Sequence, residues 1–532
     1  MRKNKAALLA LVLSVSFVSA ACGNGAAQGT GAQNNAVQSV AAAGSEAQGS
    51  ATTVIFSGSD AKINGSGAEF ADGVLKITSG GSYSLSGSLE GHVLIETKKE
   101  EKVLLFLNGM EITSDGAYAI ASVKGAMLTV TMMPGTTNTL TVTGAAAEEQ
   151  EGVELTEEQE ADAAIYVKND LVLEGEGTLN IESTVKAVHA KDTLTVESGV
   201  YSVTSADDAF NGKDAVTVNG GTFDVVIMDT AEGKAITSKG DVVLNDGAMV
   251  IPACSEGIEG LTVTVNGGSW DITSEDDGIN AREKYEGDNE QEKERFSMQN
   301  NEKVKMIFNG GTVIVNSKGD GLDSNGNIEV NGGEVYVSGS SDAFNAAVDM
   351  NGEALVNGGI LMAAGSQGMA EPLSDNSAQN IITVYFEAQQ EAETVISVSS
   401  AGKEVISWTA PKAFDILQFS AGEIKEGDEI TVKTGEEEKK ITVTGINTYE
   451  GTRTGGFGGH GGFGGPRGER PEGFEGFNGE RPEGFGGRGP RGERPEGMTP
   501  PEGMTPPEGM TPPEGMAPPE GMTKPEETTE SN

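Results

Sequence analysis

The stretch "AVTVNGGTFDVV" (residues 215–226) decides the architecture. Apolar and polar residues alternate on both sides of an Asn-Gly-Gly turn. Period-two alternation rich in Val and Thr is the pattern of strands with one buried face, and the glycines between them mark a turn. The unit recurs as "LTVTVNGGSWDITS" (261–274) and at Asn309-Gly310-Gly311, Asn331-Gly332-Gly333 and Asn357-Gly358-Gly359. "NDG" at Asn245 fits the same column, and Gly177 and Gly199 extend it backwards. The steps between the last glycines are 22, 22, 26, 21, 43, 22 and 26 residues. The step of 43 is one unit plus a charged insertion, "EKYEGDNEQEKERFSMQNNEK" (283–303). A step of 42 from Gly135 to Gly177 contains a second acidic insertion, "EEQEGVELTEEQEA" (148–161).

A period near 22 residues is that of a solenoid. Helical periodicity is missing from the repeats, and so is the leucine-rich signature Leu-x-x-Leu-x-Leu. The remaining architecture is all-β: a parallel β-helix of roughly 22-residue coils, each with about three short strands, stacked at a strand spacing of about 4.8 Å. We place it at 51–379. Residues 380–450 ("NIITVYFEA", "TVISVSS", "EVISWTA", "EITVKTG") alternate without that period, which predicts a small antiparallel β cap domain closing the last coil.

The flanks are of another kind. Arg2, Lys3 and Lys5 precede an apolar run, Ala6–Val18, too short to span a bilayer, and small residues then lead into Cys22. This predicts a lipoprotein signal peptide over 1–22, an acylated Cys22 and a bacterial cell-surface protein anchored to the membrane by lipid. Residues 23–50 read as a flexible linker, and 451–532, which end in repeats of "PPEGMT", as a disordered Gly/Pro-rich tail. With Cys22 acylated, Cys254 has no disulfide partner and reads as a small buried hydrophobe. A formal charge of −45 excludes nucleic acid as a partner and favours cations or neutral ligands.

A second motif runs through the coils: "SADDAFNG" (205–212), "SEDDGINA" (274–281), "SKGDGLDS" (317–324) and "SSDAFNAA" (340–347). One column holds Asp208, Lys234, Glu256, Asp277, Asp320 and Asp342; three residues on, another holds Asn211, Thr237, Glu259, Asn280, Asp323 and Asn345. The apolar residue between them points inward. Stacking turns each column into a row, with carboxylates roughly 5 Å apart that repel by about 3 kcal/mol per pair at an effective dielectric of 20. Such a row must protonate, fan into water or hold a cation. Hard oxygens without His or thiolate select Ca²⁺. Asp207 and Asp276 add carboxylates, so the candidate metal ligands are Asp207, Asp208, Asn211, Asp276, Asp277, Asn280, Asp320, Asp323, Asp342 and Asn345, with several ions. The rival reading is structural, Asp serving turns and Asn forming ladders; for the Asn-Gly-Gly asparagines the ladder is the preferred reading.

In these features the chain resembles the bacterial carbohydrate-binding β-helix lipoproteins first described in cellulose-degrading clostridia, which are similar in fold to polysaccharide lyases. The resemblance rests on "DDAFNG", "DDGINA", "GDGLDS", the "NGG" turns, the lipoprotein-like start and the Gly-rich tail, and covers roughly 75–450. It implies a right-handed parallel β-helix, bound calcium, and binding of cellulose-like or acidic-sugar polysaccharides.

Binding without catalysis is the expected activity. A polysaccharide lyase, the first alternative, needs a base near neutrality beside the metal. Lys213 and Lys234 are the candidates; Arg282 and Arg295 lie at or in the insertion, and His92 and His189 show no nucleophile partner. An adhesin or envelope scaffold using the tail is the second alternative. Trp270, Tyr201, Tyr336 and Phe223 follow turns, and their parity leaves core and sugar-stacking surface both open.

Overall fold

The computed structural model describes residues 51–454 except 126, 148–153, 286 and 288. The signal, Cys22, the 23–50 linker and the tail from 455 lie outside the described residues.

Each coil contributes a strand to three parallel stacks. In the first stack Leu171, Leu194, Val216, Val242 and Val263 align, followed by Met306, Ile328 and Ala354. In the second, Leu179, Tyr201, Phe223, Met249 and Trp270 are followed by Val313, Val335 and Leu361. In the third, Val188, Phe210, Ile236 and Ile258 are followed by Ile279, Leu322 and Val348. All these side chains are buried and belong to one continuous core. The register steps of the second stack are those of the glycines, so the sequence period is the vertical repeat. The protein is all-β, with large parallel sheets in a β-helix-like arrangement. Among the described residues the one α-helix, α1 (Glu290–Ser297), lies in the 283–303 insertion and is tied to the coils by Asn325 and Asn351, which donate to the Ser297 carbonyl at 2.9 and 2.6 Å.

Three of the four turn-following aromatics are core. Trp270, Tyr201 and Phe223 are buried, because their position shares the inward parity of the strand. Their polar tips reach back to the turn: Trp270 Nε1 donates to the Gly267 carbonyl at 2.8 Å, and Tyr201 Oη to that of Ser198 at 2.6 Å. Tyr336 has the opposite parity and is half-buried. Cys254 is buried, and burial pushes its thiol up to about 12.

The turn asparagines form a ladder. Asn245 donates to Asn219 (2.7 Å), Asn266 to Asn245 (2.8 Å), Asn309 to Asn266 (2.9 Å), Asn331 to Asn309 (3.1 Å) and Asn357 to Asn331 (3.0 Å). This is the structural reading of those residues, and it leaves their side chains occupied with each other.

The solenoid has closed ends. Thr52–Gly58 pairs antiparallel with Asp60–Asn64 at one end. At the other, Ile360–Gly365 accepts Phe414–Ala421 antiparallel, and a four-stranded sheet with its own core follows.

Gly311 shows why the turns need glycine. Its φ is +80°, and a Cβ there would lie 2.6 Å from the Gly267 carbonyl carbon one coil below. We expect Gly311→Ala to cost roughly 1–3 kcal/mol. Gly445→Ala, at ordinary φ with open space around it, should stay within about 0.5 kcal/mol. Denaturant unfolding of the two variants measures the contrast.

Candidate functional site

The residue following each inward apolar side chain of the third stack is its outward neighbour. In register these residues are Ala121, Tyr166, His189, Asn211, Thr237, Glu259, Asn280, Asp323 and Asp349. They form a seam whose chemistry changes along the axis from aromatic to amide to acid.

The last coil departs from the expected register. Asp323 pairs with Asp349, and Leu322 with Val348, so Asn345 and Phe344 are outside the column. This coil's register step is 26 residues, four more than the step of 22 before it. The surplus is spent in a turn where Asp342 Oδ1 accepts the Phe344 amide at 2.9 Å and the Phe344 ring is 70% exposed. Asp342 therefore sits in that turn and not in the acid column. The glycine step of 26 from Gly333 to Gly359 already carried this signal.

At the N-terminal end the seam is covered. Residues 154–161 of the first insertion lie over Tyr118 and Tyr166, whose hydroxyls donate to Glu158 (2.6 Å) and Glu160 (3.4 Å). Asp162 then meets His189 Nδ1 at 2.6 Å and Lys186 Nζ at 2.7 Å. Burial pushes the Asp162 carboxyl up, but these partners outweigh it and leave it at about 2. Lys186 also stands 3.7 Å from Asp207. Asp208 accepts from Asn211 Nδ2 (2.8 Å) and from the Lys234 amide (3.0 Å). Asp207, Asp208 and Asn211 are thus together, as the motif predicts, with a lysine beside them.

The middle section is neutralised from within. Lys234 Nζ lies 2.8 Å from Glu256 and 2.9 Å from Glu259. Arg282 binds both glutamates, and Lys284 reaches Glu259 at 2.5 Å. Burial alone would raise the Glu259 carboxyl; Arg282, Lys234 and Lys284 hold it well below the usual carboxylate range. Burial likewise works against charge on Lys234, and the two glutamates overcome it. Lys234 is locked as an ammonium, which removes it as a base, and Lys213 is exposed. Arg282 directly precedes the second insertion and Lys284 lies at its start, so two of the three cations come from that junction.

Beyond Asn280 this compensation stops. Among the described residues no basic side chain lies within 4 Å of Asp276, Asp277, Asp320, Asp323 or Asp349. Asp277 accepts from the Asp320 amide (2.8 Å) and from Asn280 Nδ2 (3.1 Å), and Asp320 from the Ala346 amide (2.5 Å). That leaves Asn280 Oδ1 buried without a hydrogen-bond partner. Carboxylate oxygens of Glu256, Asp276 and Asp277 lie within 4.8 Å of one another. Gly319 keeps a space open beside them: a Cβ there would meet Asp277 Oδ1 at 2.6 Å and Asp276 Oδ1 at 2.7 Å. Burial, then mutual repulsion, raises Asp277 and Asp323 to about 7 and about 8. Burial chiefly raises Asp320 to about 7, and it raises Asp349 also. The donor set is carboxylate and amide oxygen alone, which fits a hard divalent cation of the calcium type. The residues that sequence reasoning missed are Asp162, Lys186, Lys284 and Asp349.

The model of the family described as "Carbohydrate-binding domain-containing protein" matches residues 71–343, and the chain belongs to that family. A comparison with curated proteins returns no match. Among solved structures, the polysaccharide lyase-like protein from C. thermocellum, as its gadolinium derivative, aligns at 20% identity with a TM-score of 0.35, over 57% of this chain and 96% of that one.

The raised aspartates set a pH dependence. A carboxyl whose folded pKa lies above its unfolded value near 4 binds its proton more tightly in the native state. Its contribution is full below about pH 4 and is lost as pH rises through the folded values of about 7 to 8. In chelator, the melting temperature should therefore fall from about pH 5 to pH 8, and added Ca²⁺ should restore it at pH 8. Asp162 has the opposite sign and loses its contribution as pH falls from about 4 to about 2. Scanning calorimetry across this range, with and without the ion, reads both limbs.

Proposed function

We propose that the protein binds polysaccharide through Ca²⁺ held by the un-neutralised section of the seam, and does no chemistry on it. The observation that carries this reading is the run of aspartates around the unpaired Asn280 Oδ1, half-buried at Asp277, Asp320, Asp323 and Asp349 and exposed at Asp276, with no lysine or arginine ion-paired to them among the described residues. Asp276, Asp277, Asn280, Asp320, Asp323 and Asp349 would hold the ions, with Glu256 at the edge. Bound there, Ca²⁺ would neutralise the carboxylates and offer its open positions to sugar hydroxyl or carboxylate oxygens. The protein's own residues do the rest. The closed charge network of Lys234, Arg282 and Lys284 fixes one end of the site, and the inward Ile279 and Leu322 fix its height. In this reading the coils are right-handed, the hand that parallel crossover connections take. Cys22 would tether the domain to a bacterial surface by its lipid.

A calcium-dependent lyase is the second reading, and one observation favours it. Lys412 of the cap domain donates to the Ser317 carbonyl, three residues before Asp320. Burial, with Lys318 nearby, lowers its ammonium to about 8, the range of a general base.

Retention on polygalacturonate, with and without chelator, tests the proposal. We expect binding that requires Ca²⁺, no unsaturated product by ultraviolet absorbance, and an affinity about tenfold or more weaker for Asp323→Asn. Calcium-dependent absorbance that disappears in Lys412→Met would replace this reading with the lyase. Binding that ignores both chelator and Asp323→Asn would overturn the role of the seam.

A further inference from the structure

The first insertion ends in "TEEQEA" (156–161), a short acidic strap over the N-terminal coils. Its main chain bonds to itself. The Glu160 amide donates to the Thr156 carbonyl at 3.1 Å, and the Ala161 amide to that of Glu158 at 3.2 Å. Thr156 and Gln159 close the turn reciprocally, each amide donating to the other's side-chain oxygen, at 3.0 and 3.3 Å. The strap is therefore a self-contained turn that meets the coils through its side chains.

It covers a patch that the strand pattern turns outward. Leu94, Ala121 and Tyr166 share one outward register of the third stack. All three are buried, in one apolar cluster with Tyr118 and the strap's own Ala161. The hydroxyls of Tyr118 and Tyr166 end on the strap carboxylates of Glu158 and Glu160. Lysines border the patch. Glu157 lies 3.0 Å from Lys124 and 3.5 Å from Lys168, and Lys168 is also 3.7 Å from Glu160. Three strap carboxylates thus satisfy two phenols and two ammonium groups. Ion pairs this near the surface add little net stability, so a competing anion can displace them.

We infer that the strap is a resident stand-in for an acidic glycan, and that beneath it lies a calcium-independent subsite made of Tyr118, Tyr166, Lys124 and Lys168. A polyuronate offers what the strap offers: carboxylates in series, with apolar C–H faces between them. The lysines and phenols would take its carboxylates as they now take those of Glu157, Glu158 and Glu160. Leu94 and the tyrosine rings, once bared, would take its C–H faces. In the bare acidic section of the row a cation must come from solution; here the protein supplies the positive charge itself. A strap closed in about nine molecules of ten would weaken the apparent affinity about tenfold. The inference rests on the carbohydrate-binding reading, but not on the calcium seam.

The test is calorimetric titration of the full chain with hexagalacturonate in EDTA. We expect the triple variant Glu157→Ala, Glu158→Ala, Glu160→Ala to bind roughly tenfold more tightly than the wild type. Adding Lys124→Met and Lys168→Met should abolish that gain. Thr156→Ala with Gln159→Ala loosens the strap from within; both residues are exposed, so this variant should fold, and it should gain affinity in the same direction. Thermal melts confirm that each variant is folded. A charge-matched triple on the cap, Glu423→Ala, Glu426→Ala, Glu429→Ala, all exposed, should bind as the wild type does. A folded loosened strap with no gain, or an equal gain in the cap triple, overturns the inference. Retention on polygalacturonate with Ca²⁺ runs alongside. If it persists while no strap variant gains, this subsite alone is lost; if it is absent too, the wider reading is lost with it.

Discussion

Neighbouring coils stand one strand spacing apart, about 4.8 Å, and every side chain on a coil must live with the same position on the coils above and below. Apolar residues gain from this, and their columns become one continuous core. Asparagines gain too, because each amide can donate to the coil below and accept from the coil above, which yields the exposed ladder at the turns. Carboxylates lose, because identical charges are brought to about 5 Å. The seam on the third stack is where that loss has to be met.

It is met in two ways along one row. Between Asp162 and Arg282 the fold brings its own cations: Lys186, Lys234, Arg282 and Lys284 each contact at least one acid of the row. From Asp276 to Asp349 no aspartate of the row is ion-paired to a lysine or arginine among the described residues, although Arg282 still favours charge on Asp323, and the cost appears as carboxyls lifted toward neutrality and as an amide oxygen buried without a partner. The contrast within one continuous row makes the acidic section informative. The same fold neutralises the same geometry a few coils earlier, so the missing counter-charge belongs to this section and not to the architecture.

Insertions carry much of this difference. The first insertion lays Glu158 and Glu160, with Asp162 just after it, over the aromatic end of the seam. At the start of the second, Lys284 and the preceding Arg282 close the buried pair Glu256 and Glu259. The surplus residues of the last coil swing Asp342 into a turn and leave Asp349 to complete the row. Between them these departures from the 22-residue repeat decide which part of the seam is covered, which is neutralised and which is bare.

The amino-acid sequence by itself determined the period, the three-stranded coil, the ladder and the existence of an acidic row, because each depends only on spacing along the chain once strands stack in parallel. Asp208 with Asn211 and Asp277 with Asn280 were legible for that reason. Other facts needed the tertiary structure. Asp162 reaches the row from a loop, and Lys186 stands in register with Asp208 one coil earlier, where no acidic motif marks the column. Asp349 enters through a change of step that motif similarity to "SSDAFNAA" concealed. The aromatic pair of Tyr336 and Trp408 joins a strand of the parallel stack to a strand of the four-stranded sheet. Counter-charge and burial are properties of neighbours in space, and the period specifies only the neighbours that lie one coil away.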